Sequence, residues 1–474
     1  MFRLYSDVPY QKIYDKLGIL DIHSTLANGK PTKVALKNER KQLRVAWFIQ
    51  EIYNRQSYFC IIDSDEYPRC KFDECNHFTF DSLERQYILG ALNPTSILQA
   101  LDDLKVMSVV RGYSHQSVFK PPYMYRFIEH PGTITGKCRI RKEFKNLKNS
   151  INKLWEYRTS DIKKAGLLPI VRDLCKLTFG ITRDQFDVIV IKRYPTYVTE
   201  KIDDGSSYKS IEDYSDDLEQ HWNELIKWNE CTEKERVEKF NVDKFGQRLH
   251  SPFSRMLKEL RAYILDPTGK AYLNLNELDI VASQLSFMAN LMYKDGVRGD
   301  WIDSVFNGIP KVSDPHTLMA KKLGGICRES AKKINYKILF CPVFVVEHQQ
   351  FCKSFPPEGR FLTNLKTTRY KHLPDDKCFK IKRNEQGQIE RKKDGTPKKI
   401  STLHKSSSCK LQRLESQLMM EVWIKLKKSK IRFLPVHDAV YVDRADVSAA
   451  YDIMYGVLNR DYHQFKLHNK EVSQ

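Results

Sequence analysis

The segment "IRFLPVHDAVYVD", residues 431–443, constrains the fold more than any other stretch. Two short apolar runs, each suited to a β-strand, meet at the polar pair His437-Asp438, which puts Asp438 at the tip of a hairpin. A second stretch, "YLNLNELDIVASQLSFMANLM", runs from an apolar strand through Asp279 into an apolar helix. Both carboxylates therefore sit in sequence otherwise suited to burial, where an unpaired carboxylate is costly, so each needs a partner. Judged alone, Asp279 also reads as a helix N-cap and Asp438 as an ordinary hairpin-turn residue. Two carboxylates converging on one point without His or Cys suit hard, oxygen-binding Mg²⁺, with Mn²⁺ as a substitute. Two such ions about 4 Å apart can activate an attacking hydroxyl and stabilise a pyrophosphate leaving group.

"RESAKKINYKILF", residues 328–340, spaces Arg328, Lys332 and Tyr336 four residues apart, along one face of a helix. At about 1.5 Å per residue the three span roughly 12 Å, near the length of a nucleoside triphosphate from γ-phosphate to base. Arg328 and Lys332 could neutralise charge on the β- and γ-phosphates, and Tyr336 could pack on the base or sugar. The same spacing also fits a basic amphipathic surface helix. Upstream, "GQRLHSPFSRMLKELRAYIL" sets Arg248 and His250 ahead of a helix carrying Lys258 and Arg261.

Charge identifies the class of partner. The 79 Lys and Arg against 59 Asp and Glu give +20 and a pI near 9.3, which implies a polyanion, most commonly nucleic acid. No apolar run reaches about 18 residues and the N-terminus does not read as a signal peptide. The expectation is a soluble, cytoplasmic protein of a bacterial or phage-infected cell, without a membrane role. Eleven scattered Cys show no regular framework, so reduced thiols without disulfide partners are expected. Cys60, Cys70, Cys75 and His77 lie close in sequence but match no common zinc spacing, leaving zinc and plain thiols both open.

The length, 474 residues, suggests about two to four domains. Residues 32–58 read as a helix. Across about 80–130, helix, turn and helix are followed by the hairpin runs "VMSVVRGYS" and "YMYRFIE", the order of a winged helix or of a helix-hairpin packing unit. Residues 135–240 read as mainly helical, interrupted by an acidic, Ser-rich surface loop in "EKIDDGSSYKSIEDYSDDLEQHW". A basic insert over about 366–410 reads either as a hairpin with turns near Gly387 and Gly395, gripping phosphates without reading sequence, or as a solvated loop.

Four of these stretches together resemble the motifs of family A DNA polymerases and single-subunit RNA polymerases, a superfamily that includes bacterial DNA polymerase I. "DIVASQLSF" resembles the first motif, "AKKINYKILF" the fingers helix, and "VHDAVYV" the His-Asp palm hairpin. "GQRLHS" is similar to the Gly-Arg element at the template-primer duplex, with Gln247 inserted. "LQRLESQLMMEVWIKLKKSK" resembles the long palm helix. The resemblance covers about 245–460.

It implies an α+β right-hand polymerase with an antiparallel palm sheet, helical fingers and thumb. Residues 1–134 would form an N-terminal, mostly helical region with the winged helix, 135–244 a thumb-like or linker region, and 245–474 palm and fingers, the fingers at about 295–350. Asp279 and Asp438 would be catalytic metal ligands, and Arg328, Lys332, Tyr336 and Gln284 would line the nucleotide site. Arg248, His250, Arg261, His437 and Gln412 would contact nucleic acid. The implied partners are a DNA primer-template, nucleoside triphosphates and a replication accessory protein.

The family's Glu after the first-motif Asp is replaced here by the neighbourhood Ser283-Gln284, and "D-x-x-x-S" is closer to the RNA polymerases. Phe340-Cys341 stands where Tyr-Gly is usual. The fingers helix leans towards DNA synthesis. The first 240 residues carry no exonuclease carboxylate set, and "DSDE" at 63–66 reads as surface. The leading expectation is a DNA-dependent DNA polymerase of a plasmid, phage or mobile element. An RNA polymerase or primase-polymerase, and a non-catalytic replication initiator that keeps a palm as scaffold, are the alternatives.

Overall fold

The computed structural model describes residues 145–471 with breaks at 204–209, 310–311, 383–388 and 393–395. Before residue 145 it describes 2–5, 10–17, 19, 33–56, 88, 92, 97, 100–101, 103–104, 107–110, 124–127 and 134–138. The chain divides into two compact units, Met1–Ser160 with Glu212–Leu225, and Asp161–Ile211 with Ile226–Gln474.

The first unit is built around the helix Lys33–Gln56. Five consecutive residues, Val45 to Ile49, are buried, more than one full turn, so this stretch is enclosed on every side. Ile13, Ile88, Leu101, Leu147 and Leu154 complete the core. Met107–Val110 pairs antiparallel with Met124–Phe127, as the two hairpin runs predict, and Phe2–Tyr5 pairs with Ile134–Cys138. Most of the expected helix-turn-helix lies outside the described residues. So do Cys60, Cys70, Cys75, His77 and the acidic cluster at 63–66. The expected helical character of 135–240 appears as Lys145–Lys164, Leu168–Leu174, Arg183–Asp203, Ile211–Glu230 and Glu233–Val237.

The second unit mixes helices with small antiparallel sheets. Its four-stranded sheet uses β1 (Leu275–Ile280), β2 (Phe433–Val436), β3 (Ala439–Asp443) and β4 (Leu467–Glu471), in the order β2-β3-β1-β4. Every neighbouring pair is antiparallel. In β1 the residues Asn276, Leu278 and Ile280 are buried, so strand alternation turns Glu277 and Asp279 to the opposite face. Register puts Tyr441 and Lys470 beside Glu277, and Ala439 and His468 beside Asp279. A slip of one residue would bury both carboxylates, so the apolar residues of β1 set the position of the acidic ones.

Helix α1 (Ser283–Lys294) follows β1 and buries Leu285, Phe287, Met288, Ala289 and Met292. Helix α2 (Arg328–Phe340) is held at its middle and at its end. In its middle, buried Asn335 accepts from Trp301 Nε1 at 3.1 Å and donates to Pro315 O at 3.0 Å. At its end, buried Lys366 donates to Ile338 O and to Cys341 O (2.7 Å), carbonyls left free where the helix stops. Burial lowers the Lys366 ammonium to about 8 and the adjoining His348 imidazole to about 4. Helix α3 (Lys405–Lys428) packs on α1 and α2, and its Ser407 donates to Leu339 O at 2.6 Å.

The expected helix over Lys258 and Arg261 is a short 3-10 stretch, Lys258–Tyr263, preceded by the turn Pro252–Arg255. Pro252 starts that turn, and Met256 and Leu257 take extended backbone angles that stop it from continuing. In the basic insert, Phe379–Ile381 pairs with Lys399–Ser401, giving a two-stranded ribbon.

Candidate active site

Val436 pairs directly with Ala439, so His437-Asp438 is a two-residue turn. His437 has φ +45, in the left-handed region that few residues other than Gly occupy. Ile280 N donates to Asp438 O at 3.3 Å, which ties the turn to the end of β1. Asp279 on β1 pairs with Ala439, so the turn residue Asp438 stands next to the pair and close enough for the two carboxylates to interact electrostatically. Burial pushes the Asp438 carboxyl up to about 6, and the negative charges of Glu415 and Asp279 add to the shift. Asp279 has a cationic partner, Lys470 Nζ at 3.0 Å.

Helix α2 is coupled electrostatically to these carboxylates through Tyr336. Burial raises the proton affinity of its hydroxyl, and the charges of Asp438 and Asp279 raise it further. The Tyr336 ring lies 6.2 Å from the buried His316 ring. Two turns towards the start of the helix, Arg328 donates to Asp314 Oδ2 from Nε (3.1 Å) and Nη2 (2.5 Å). The other oxygen of Asp314 caps the helix Pro315–Lys322, accepting from His316 N and Thr317 N. One carboxylate therefore orients Arg328 and starts a neighbouring helix. Lys332 is exposed.

Arg248 and Gln284 reach the site through a residue that the sequence motifs did not single out, Glu415 of α3. Its side chain is 2 % exposed and accepts from Arg248 Nη2 at 2.6 Å, from Ser283 Oγ at 2.9 Å and from Gln284 Nε2. A signal for it existed: Glu415 lies on the apolar stripe of Leu411, Leu418, Met419 and Val422, a charge in sequence suited to burial. That reasoning singled out the aspartates and applies equally to Glu415.

The loop before Arg248 is organised by Asp243, which accepts from Gly246 N (2.5 Å), Arg248 N (2.8 Å) and the His250 ring (3.1 Å). Burial alone would raise the Asp243 carboxyl, but these partners bring it below its ordinary value. Gly246 is required by close approach, since a Cβ there would lie 2.5 Å from Gln412 Oε1. Gln412 itself packs against that glycine and donates to Ser408 Oγ at 3.3 Å.

His437 and His250 meet edge to face, with ring centroids 5.8 Å apart. Burial and the nearby Arg248, His250 and Arg261 push His437 down to about 4, so it is neutral near pH 7. Arg261 is 7 % exposed. It donates to Tyr441 Oη at 2.5 Å and lies over that ring, while Tyr441 donates to Glu277 at 2.6 Å. Its guanidinium is engaged in the sheet rather than presented to solvent.

Among the described residues, no three His, Cys, Asp or Glu side chains form a group able to hold a metal ion. Asp279 and Asp438 nevertheless form an all-oxygen donor pair of the kind Mg²⁺ accepts, with water and substrate oxygens able to complete its shell. Burial is the main cause of the raised Asp438 carboxyl, and the repulsion that Glu415 and Asp279 add is what a bound cation would relieve.

Neither protein-family models nor curated proteins give a match. Among solved structures, the chain is similar at a TM-score of 0.34 and 12 % identity to the POL domain of Pol1 from M. smegmatis in complex with DNA primer-template and dNTP. That similarity spans 54 % of this chain and 53 % of the other, about half of each.

Proposed function

We propose that this chain is a template-directed nucleotidyltransferase acting as a DNA-dependent DNA polymerase. The observation that carries the reading is the electrostatic coupling of Asp279, Asp438 and Tyr336: one carboxylate on β1, one in the turn that leads into the neighbouring β3, both acting on the helix that bears Arg328 and Lys332. Asp279 and Asp438 would hold Mg²⁺. Bound there, the ions would supply Lewis acidity to the attacking hydroxyl and the departing pyrophosphate. Arg328 and Lys332 bind the triphosphate and offset the charge that builds on it, while Tyr336 orients the base or sugar. Arg248, braced by Glu415, presents its guanidinium beside the carboxylates to the primer-template. Asp314 keeps Arg328 extended for the incoming phosphates.

The fold belonging to this reading is a palm sheet with helical fingers, in a replication protein of a plasmid, phage or mobile element without its own proofreading site. RNA synthesis is the second reading, favoured by Ser283-Gln284 after the first aspartate, both committed to Glu415.

Primer extension on a labelled DNA primer-template with Mg²⁺, with dNTPs and NTPs in separate reactions, tests both readings. Templated extension by dNTPs that disappears in Asp438→Ala is the expected result. Extension by NTPs alone would transfer the assignment to RNA synthesis. Silence from wild type in both reactions, with DNA binding retained in wild type and variant, would sink the catalytic reading in favour of a binding protein.

A further inference from the structure

The basic insert is a surface for which the chemistry of the site has no use. Residues 367–410, which leave out the buried Lys366, carry thirteen Lys and Arg against five Asp and Glu, a net +8 of the chain's +20 in under a tenth of its length. Within it, Phe379–Ile381 and Lys399–Ser401 form the two-stranded ribbon, and every residue of both strands is exposed. A free two-stranded ribbon is marginal in water, and this one also exposes Phe379, Ile381 and Ile400 at 52, 37 and 42 %. Self-repulsion among its lysines weakens it further, offset in part by Glu390, which pairs with Lys382 (3.0 Å) and Lys398 (3.2 Å). An extended, cationic, partly apolar ribbon of this kind gains stability from a polyanion laid along it.

Its root determines where it stands. Thr402 N donates to Cys378 O at 2.9 Å and Thr402 Oγ1 to Lys377 O at 2.7 Å, closing the base of the ribbon. Buried Cys378, Leu373 and Cys409 pack there with Phe245. Phe245 O also accepts from Arg413 Nε at 2.8 Å. Phe245 immediately precedes Gly246 and the loop that carries Arg248 to the carboxylates. The ribbon therefore begins next to the loop that carries Arg248 to the site.

We propose that this ribbon is a grip on the sugar-phosphate backbone of the primer-template, continuing outward the contact that begins at Arg248. The charged residues of its strands are all Lys, a point charge suited to phosphate oxygens. Lys399 Nζ lies 5.8 Å from the Phe379 ring centroid, so an apolar side chain backs one of the cations. The identity of the nucleic acid as primer-template rests on the nucleotidyltransferase reading; the grip on a polyanionic backbone does not.

The test is fluorescence anisotropy with a fluorescein-labelled DNA duplex carrying a 5′ overhang, in metal-free buffer over a range of salt. Three forms of the full chain are compared: wild type, a Lys380→Gln, Lys392→Gln, Lys399→Gln variant, and a control with the same charge removed elsewhere (Lys164→Gln, Lys234→Gln, Lys428→Gln). The ribbon variant should bind at least about tenfold more weakly near 0.1 M salt, with a salt slope shallower by about 0.9 for each phosphate it no longer neutralises. The control should stay within about twofold of wild type. Equal affinities and slopes for ribbon variant and control would overturn the proposal.

Single-nucleotide incorporation at saturating DNA should be unchanged in the ribbon variant, and its products on a long template should be shorter. If no form extends a primer but the ribbon variant alone loses binding, the catalytic reading fails and the grip stands. If all forms extend and bind alike, the grip fails and the catalytic reading stands.

Discussion

On the sheet side of the site, most charged groups are tied to another part of the protein. Asp279 is bound by Lys470, Arg261 by Tyr441, and Glu415 accepts from Arg248, Ser283 and Gln284. On the helix side, cations face outward: Lys332 is exposed, and Arg328, though braced by Asp314, remains 30 % exposed. Glu415 and Asp279 crowd Asp438, whereas α2 couples to both aspartates through the neutral hydroxyl of Tyr336. The two sides therefore divide the labour. The sheet holds negative charge in fixed geometry, which costs stability, and the helix offers positive charge that a polyphosphate can take up.

Substitutions in the sheet should disturb this arrangement most. Asp279→Asn and Asp438→Asn should each lower nucleotide incorporation by at least about 10³-fold, read as single-turnover rates. Asp438→Asn should at the same time stabilise the metal-free protein. Its folded carboxyl titrates near 6 rather than 3.8, so the folded state binds the extra proton in that window and loses stability as pH rises through it. Asn removes that loss, worth roughly 2–3 kcal/mol above pH 6 in chemical denaturation. Adding Mg²⁺ or Mn²⁺ should raise the melting temperature of wild type and leave that of Asp438→Asn unmoved.

On the helix, Lys332→Ala should cost about 10²-fold in kcat/KM for the nucleotide, with primer-template affinity unchanged. Asp314→Ala acts through Arg328, so its loss of about tenfold should vanish in an Arg328→Ala background. An equal loss in both backgrounds would show that Asp314 serves the helix start instead. Glu415→Ala should weaken primer-template binding roughly tenfold through Arg248, and a double-mutant cycle with Arg248→Ala measures that coupling.

A smaller effect is expected in acid, away from the carboxylates. His348, held neutral with a folded pKa of about 4 against an ordinary 6.5, refuses a proton that the unfolded chain accepts. Stability is lost as pH falls from 6.5 to 4, the opposite slope to that of Asp438. His348→Gln should flatten that acid limb, which urea denaturation at pH 5 and 7 would reveal.

The local geometry of the site was legible in the residues alone. Alternation in β1 turned Asp279 away from the buried face, two apolar runs around His437-Asp438 made the hairpin, and fourfold spacing aligned Arg328, Lys332 and Tyr336. Each follows from periodicities of 2 and 3.6 that short-range sterics impose on any chain. The partners, by contrast, were assigned only by folding. Glu415 lies 167 residues from Arg248 and 131 from Gln284, Arg261 lies 180 from Tyr441, and Lys366 closes a helix through a carbonyl 28 residues before it. No local pattern encodes such pairs, because they form only when packing leaves buried charges and carbonyls that must be satisfied by whatever side chain is near. That is why Arg261, which the family resemblance assigned to nucleic acid, is committed inside the sheet. It is also why the partners of Glu415, whose place on an apolar stripe marks it in sequence as a buried charge, become evident only once the chain is folded.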